Sequence, residues 1–217
     1  MGRTTTMTAP ELLALAERSG DRLIFAVIRA RRSLLGESDH AMHVAGLCAL
    51  LARRAGWPGD RSLALVEAAL QRRPAEAGEP QQMLEFVEIF LARQAPAQGR
   101  PPVTPQQAAR DLYMASAGHP LAAMLIKELG IHPPGSGVRL ASGEAAIVVR
   151  RGAHASMPLA CAIADEDGHP LDPPQVRDTA QAGFAIVGAL ADDSALLRIQ
   201  PERLFAAMPG SPRPASH

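Results

Sequence analysis

The sequence predicts an α+β protein, with an all-helical N-terminal domain over residues 8–129 and a small antiparallel β module over 130–208 that ends in a short helix. Three observations lead there. Apolar residues recur at helical spacing as far as Leu129, and from Val138 onward they recur at strand spacing. Between the two regimes Gly130, Pro133 and Pro134 form a seam that no helix crosses, because proline lacks an N–H and fixes φ.

The first helix opens at a capping box, Thr8 to Glu11, and stops at Gly20. A second starts at Asp21, carries Leu23, Ile24, Val27, Ile28 and Leu34 on one stripe, and ends near Gly36. The third runs from Asp39 to Arg54, directs Met42, Leu47, Leu50 and Leu51 inward, and meets Gly56 and Pro58 at its end. The fourth spans Asp60 to Arg73 and is stopped by Pro74. The fifth, Gln81 to Gln94, carries Met83, Phe86, Val87, Phe90 and Leu91, an apolar run dense enough to predict the central helix. After an irregular stretch from Ala95 to Val103, Thr104 and Pro105 open a sixth helix closed by Gly118, and Pro120 to Leu129 form a seventh.

Beyond the seam, Val138 to Leu140 and Ala146 to Val149 read as strands joined by the turn residues Ser142 and Gly143. Val138, Leu140, Ile147, Val149 and Ile163 are expected to face inward, and the unbroken run Ile147 to Val149 predicts a strand covered on both faces. Leu159 to Ala164 is a further strand, Asp165 to Gly168 a turn, Phe184 to Leu190 another strand, and Pro201 to Met208 a last helical turn. The first residues and the Pro/Ser tail read as unstructured ends.

Composition narrows the function classes. A chain of 217 residues, 47% hydrophobic, is long enough for two modest cores. Its 22 Lys+Arg balance 22 Asp+Glu, which gives no footprint for DNA, RNA or an anionic membrane surface. No apolar run has spanning length, and the first ten residues do not resemble a signal peptide. Two cysteines, Cys48 and Cys161, make no disulfide framework and fit small buried apolar positions, so a reducing cytoplasm is expected.

Several segments together resemble HD-GYP domain proteins, bacterial metal-dependent phosphodiesterases that hydrolyse cyclic di-GMP. The seam residues Pro133, Pro134 and Gly135, then Val138, Arg139 and Leu140, then Gly143 and Glu144, resemble the segment after that family's helical core. Asp165 through Pro174 resembles its later strand-turn, Thr104 to Ala108 a helix start, and His40 to Ala45 the helix that donates its first metal ligand. The likeness covers roughly residues 21 to 190, strongest from 99 to 175. It implies an HD-type helical domain.

The same resemblance implies that the catalytic apparatus is gone. His40 falls on the first ligand, but the defining His-Asp pair falls on Arg72 and Arg73, a later Asp falls on Glu88, and no Gly-Tyr-Pro triplet is present. Guanidiniums have no lone pair to offer a cation and cannot be deprotonated. The site residues to follow are therefore His40, Arg72, Arg73 and Glu88, as a vestigial or phosphate-binding site with no catalytic residue, metal ligand set or cofactor. Two placements are open: Arg72 or Arg73 pairs with Glu88 in place of the lost metal, or the arginines simply favour a helix C-terminus and Glu88 lies on a solvated face. His40, likewise, reads as a half-buried polar residue unless further ligands join it. Neither Ser142 nor Ser156 has a nucleophile-elbow context.

The expected function is binding without catalysis, with a partner protein in bacterial second-messenger signalling as the leading expectation. A metal-free cyclic di-GMP receptor is the alternative, and a residual metal-dependent phosphodiesterase a further one.

Overall fold

The structure, a computed structural model, describes residues 7–30, 37–95, 102–190 and 199–208. The unstructured ends, most of the irregular stretch after Ala95 and the end of the second predicted helix fall outside these residues. The chain divides into two compact units, Met1–Leu129 and Gly130–His217.

Six helices make the described part of the first unit: α1 (Ala9–Ala30), α2 (Glu37–Arg54), α3 (Gly59–Leu70), α4 (Glu79–Gln94), α5 (Pro105–Ala115) and α6 (Pro120–Leu129). The first two predicted helices meet within α1, at the place where the sequence breaks them. Ser19 alone leaves helical geometry (φ −147°, ψ 46°), so the break expected at Gly20 is a kink at a Ser-Gly pair. The Thr8 cap is formed by Glu11, whose carboxylate accepts from the Thr8 N–H at 2.7 Å and from its hydroxyl at 2.9 Å. Thr104 caps α5 by accepting the Gln107 N–H at 3.2 Å.

The central helix is α2, which corrects the expectation for α4. Every residue of α2 from Val44 to Ala52 is buried, whereas α4 exposes Glu85, Glu88, Ile89 and Ala92. Small side chains allow this close packing. A Cβ added at Gly46 would stand 3.0 Å from Leu23 Cδ1, so α1 and α2 approach across that glycine. Leu12, Ile24 and Ile28 of α1, Leu65 of α3, Phe90 of α4 and Leu112 of α5 complete the same core.

Three helices end in Schellman turns, and the residue in the left-handed position differs. After α2 it is Gly56 (φ 66°), with Trp57 N–H bonded to Ala52 O. After α5 it is Ala117 (φ 49°), and after α3 it is Arg72 (φ 53°). At α3 the Arg73 N–H reaches Ala68 O at 3.0 Å and the Arg72 N–H reaches Ala69 O at 3.2 Å, the two bonds that define this cap. The helix predicted to run to Arg73 thus ends at Leu70.

The second unit is a five-stranded antiparallel sheet in the order β4-β3-β2-β1-β5. Its strands are β1 (Gly137–Leu140), β2 (Ala145–Arg150), β3 (Leu159–Ala164), β4 (Pro170–Asp178) and β5 (Ile186–Ala189), followed by the helix α7 (Pro201–Ala206). The strand pair expected around the Asp165 to Gly168 turn is β3 with β4, although the sequence reading sets no bounds for β4. Its Pro170, Pro173 and Pro174 argue against a strand in general, but β4 is an edge, where missing N–H donors cost no ladder bonds. Phe184 belongs to a 3-10 turn, and the last strand begins only at Ile186.

The inward-facing set is also corrected. All five predicted residues are buried, but on two faces. Val138 pairs with Ala146, and Val138, Leu140, Ala146, Val148, Ala160 and Ala162 form one cluster. Ile147 pairs with Cys161 and points to the other face, because neighbours along a strand alternate. The prediction that β2 is covered on both faces agrees with the burial of Ala146 through Val149. On the Cys161 side, the thiol donates to Leu204 O of α7 at 3.6 Å.

Candidate functional site

Of the four sequence-derived site residues, the structure brings two together. His40 stands in the first turn of α2 and Glu88 in the middle of α4. The imidazole Nε2 lies 3.0 Å from Glu88 Oε2 and donates to it, since an ionised carboxylate only accepts. The His40 side chain is 26% exposed and that of Glu88 48%, so water reaches the pair from the Glu88 side. Two turns along α2 from His40 the Cys48 thiol is fully buried. Burial first, and the Glu88 charge second, push its pKa upward, which makes it an inert packing group.

Arg72 and Arg73 do not join that pair. Both are exposed on the Schellman turn that closes α3, and the Arg73 Nε donates to Gln71 Oε1 at 2.9 Å. Among the described residues the partner of the Glu88 carboxylate is His40, not either arginine. The proposed substitution of an arginine for a lost metal is therefore corrected. The left-handed turn at Arg72 redirects the chain one residue before the guanidiniums could follow the helix axis.

The resemblance to HD-GYP domains implies a two-cation centre. Such a centre needs several His and carboxylate ligands converging. Among the described residues, His40 and Glu88 have no third His, Cys, Asp or Glu ligand atom close enough to complete a group of three. The residues present do not fit that centre. The one group of three lies elsewhere, in the exposed β3–β4 turn at Asp165, Asp167 and His169. There the Asp165 carboxylate accepts the N–H groups of Asp167 (3.1 Å) and His169 (2.8 Å) and approaches His169 Nδ1 at 3.3 Å. The His169 backbone bond leads in holding its pKa below the usual value. These bonds account for the cluster as a turn.

Two ion-pair sites escaped the sequence reading. In the helical unit the Glu128 carboxylate, only 5% exposed, lies 3.3 Å from Arg53 Nη2 and 3.6 Å from Arg54 Nε. In the β unit the Arg177 guanidinium grips Glu144 with Nε at 3.0 Å and Nη2 at 2.6 Å, while Ser142 Oγ donates to the same carboxylate at 2.8 Å. Arg177 also stacks over the Phe184 ring, 4.7 Å from its centroid. The Arg177 hydrogen bonds are the main cause of a lowered Glu144 pKa. Partners 33 and 75 residues apart leave no local pattern to read.

Comparison with protein-family models, curated proteins and solved structures finds no match. What fold and site define is an α+β protein whose helical unit carries an exposed His-Glu pair. Among the described residues no helix is long and apolar enough to cross a membrane.

Proposed function

We propose that this chain is a catalytically inactive relative of HD-GYP domain proteins, acting in the cytoplasm by binding a partner protein in bacterial second-messenger signalling. The observation that supports it is the placement of Arg72 and Arg73. They stand where the resemblance puts the His-Asp ligand pair, and they lie on the exposed exit of α3 instead of converging on Glu88. Two cationic side chains there repel divalent ions, and His40 with Glu88 supplies too few donors to hold one. The pair then ties α2 to α4 and takes no part in phosphoryl chemistry.

Titration of the purified chain with cyclic di-GMP, with and without Mn²⁺, tests this reading. The expected result is neither hydrolysis nor binding under either condition. Mn²⁺-dependent hydrolysis that disappears in His40→Ala would show a working enzyme and overturn the proposal. Binding that needs no metal would replace the partner-protein reading with a cyclic di-GMP receptor.

A further inference from the structure

Half of the large apolar side chains exposed among the described residues lie on two neighbouring helices, Ile89 on α4 and Tyr113 and Met114 on α5. Tyr113 turns back over the end of its own helix, where its hydroxyl stands 3.2 Å from the place of a Cβ on Gly118. Ile89 and Met114 remain 45% and 72% exposed.

Two contacts fix where they stand. Arg93 of α4 pairs with Asp111 of α5, and the Phe86 ring of α4 meets the His119 ring, just beyond α5, at 5.2 Å. Phe86 to Arg93 is two helical turns, about 10 Å. Ile89 lies three residues after Phe86 and four before Arg93, so it shares their side of α4. Met114, three residues after Asp111, shares its side of α5. The two side chains therefore border the groove between the helices, beside Phe86, which packs on the helical core.

The border carries one sign of charge. From Gln82 to Ala92 the charged residues of α4 are Glu85 and Glu88, both exposed, the latter bonded to His40. The α5 side from Leu112 to Gly118 carries no charge. Arg93 is neutralised by Asp111, and Arg110 stands outside the stretch between the two contacts. Glu85 accepts from Gln81 Nε2 at 2.8 Å, a neutral donor that leaves its charge in place.

An apolar groove two turns long between helices receives a third helix through apolar residues at i, i+3 or i+4, and i+7. The glutamates favour lysine or arginine along the flank of that helix facing α4. They repel phosphate groups, hence nucleic acids and anionic lipid surfaces. A second copy seated by two-fold symmetry would set Glu85 and Glu88 against their own copies. We propose that the α4–α5 groove docks a basic amphipathic helix of a partner protein, its apolar stripe on Phe86, Ile89 and Met114 and its cationic flank along Glu85 and Glu88. This rests on the partner-binding role proposed above and names its surface and the partner's chemistry.

The probe is a synthetic peptide of about 16 residues, with leucines at i, i+4 and i+7, lysines along one flank, and glutamine and alanine elsewhere. It is titrated into the full chain and followed by amide NMR, beside a scrambled peptide of the same composition and a version with glutamate for lysine. Saturable shifts confined to residues 82–93 and 111–119 are expected, with a Kd of about 100 μM or tighter and both control peptides about tenfold weaker or more. Ile89→Gln and Met114→Gln should each weaken binding about tenfold, and Glu85→Lys about threefold. Glu17→Lys, the same charge change on α1, should leave it unchanged. The proposal fails if no saturable shift appears up to about 1 mM, if the scrambled peptide binds as tightly, or if both glutamine variants keep dispersed spectra and bind unchanged. It fails too if sedimentation shows a dimer that Met114→Gln dissolves, since the groove then belongs to a second copy. These failures leave the inactive reading standing, whereas turnover or metal-free binding of cyclic di-GMP overturns that reading without touching the groove.

Discussion

His40 Nε2 and Glu88 Oε2, 3.0 Å apart, join the first turn of α2 to the middle of α4. The two residues are 48 positions apart in the chain. The bond occupies Nε2 of the imidazole, and it leaves Glu88 half in water.

A pair this open to solvent contributes little. Glu88→Gln is expected to lower stability by less than about 1 kcal/mol. Urea unfolding followed by the fluorescence of Trp57, the only tryptophan, checks this in the helical unit. Purified protein should also hold substoichiometric Mn, Fe or Zn. Elemental analysis giving a full ion per chain, lost in His40→Ala, would contradict both the structural role and the inactive reading.

Arg72 occupies the left-handed position of a Schellman turn that Gly56 fills after α2. A residue with a Cβ is strained there and glycine is not. Arg72→Gly should therefore stabilise the helical unit by about 1 kcal/mol. A drop in the urea midpoint would show that the Arg72 side chain matters more than its backbone.

Glu128 and its arginines should respond asymmetrically. Removing the carboxylate by Glu128→Gln leaves two arginines that are 41% and 46% exposed and already hydrated, at a cost of about 1 kcal/mol or less. Replacing Arg53 and Arg54 together by Ala takes both of these cations from a buried carboxylate, which should cost about 3 kcal/mol. Equal losses from the two variants would mean that water already solvates Glu128.

Glu144 contributes a pH dependence to the β unit, as does Asp165 in the β3–β4 turn. The folded pKa of Glu144 lies below the ordinary Glu value because Arg177 holds the charged form. The unfolded state therefore binds more protons in acid, and stability rises with pH across that window. The contribution is complete above the ordinary Glu pKa and is lost as pH falls through the lower folded value. Acid unfolding followed by amide NMR of the sheet should show this slope, and Glu144→Gln should flatten it. An unchanged slope in that variant would assign the acid sensitivity elsewhere.

The order of helices and strands was legible wherever a local rule decides it. Thr8 and Thr104 mark helix starts, Gly56 and Gly118 lie at helix ends, Gly143 makes a hairpin turn, and the seam at Gly130 separates two apolar periods, because caps, turns and periodicity act over a few residues. Tertiary structure decided what those rules do not reach. The small residues of α2 look unremarkable along the chain, yet they let it pack at the centre. Proline-rich β4 has no apolar alternation, and only its place at the sheet edge makes it a strand. The pairings of His40 with Glu88, Glu128 with Arg53 and Arg54, and Glu144 with Arg177 depend on where whole helices and strands come to rest. The turn at Arg72 shows both levels at once: the sequence supplied the two arginines, and the backbone bonds to Ala68 and Ala69 determined where they stand.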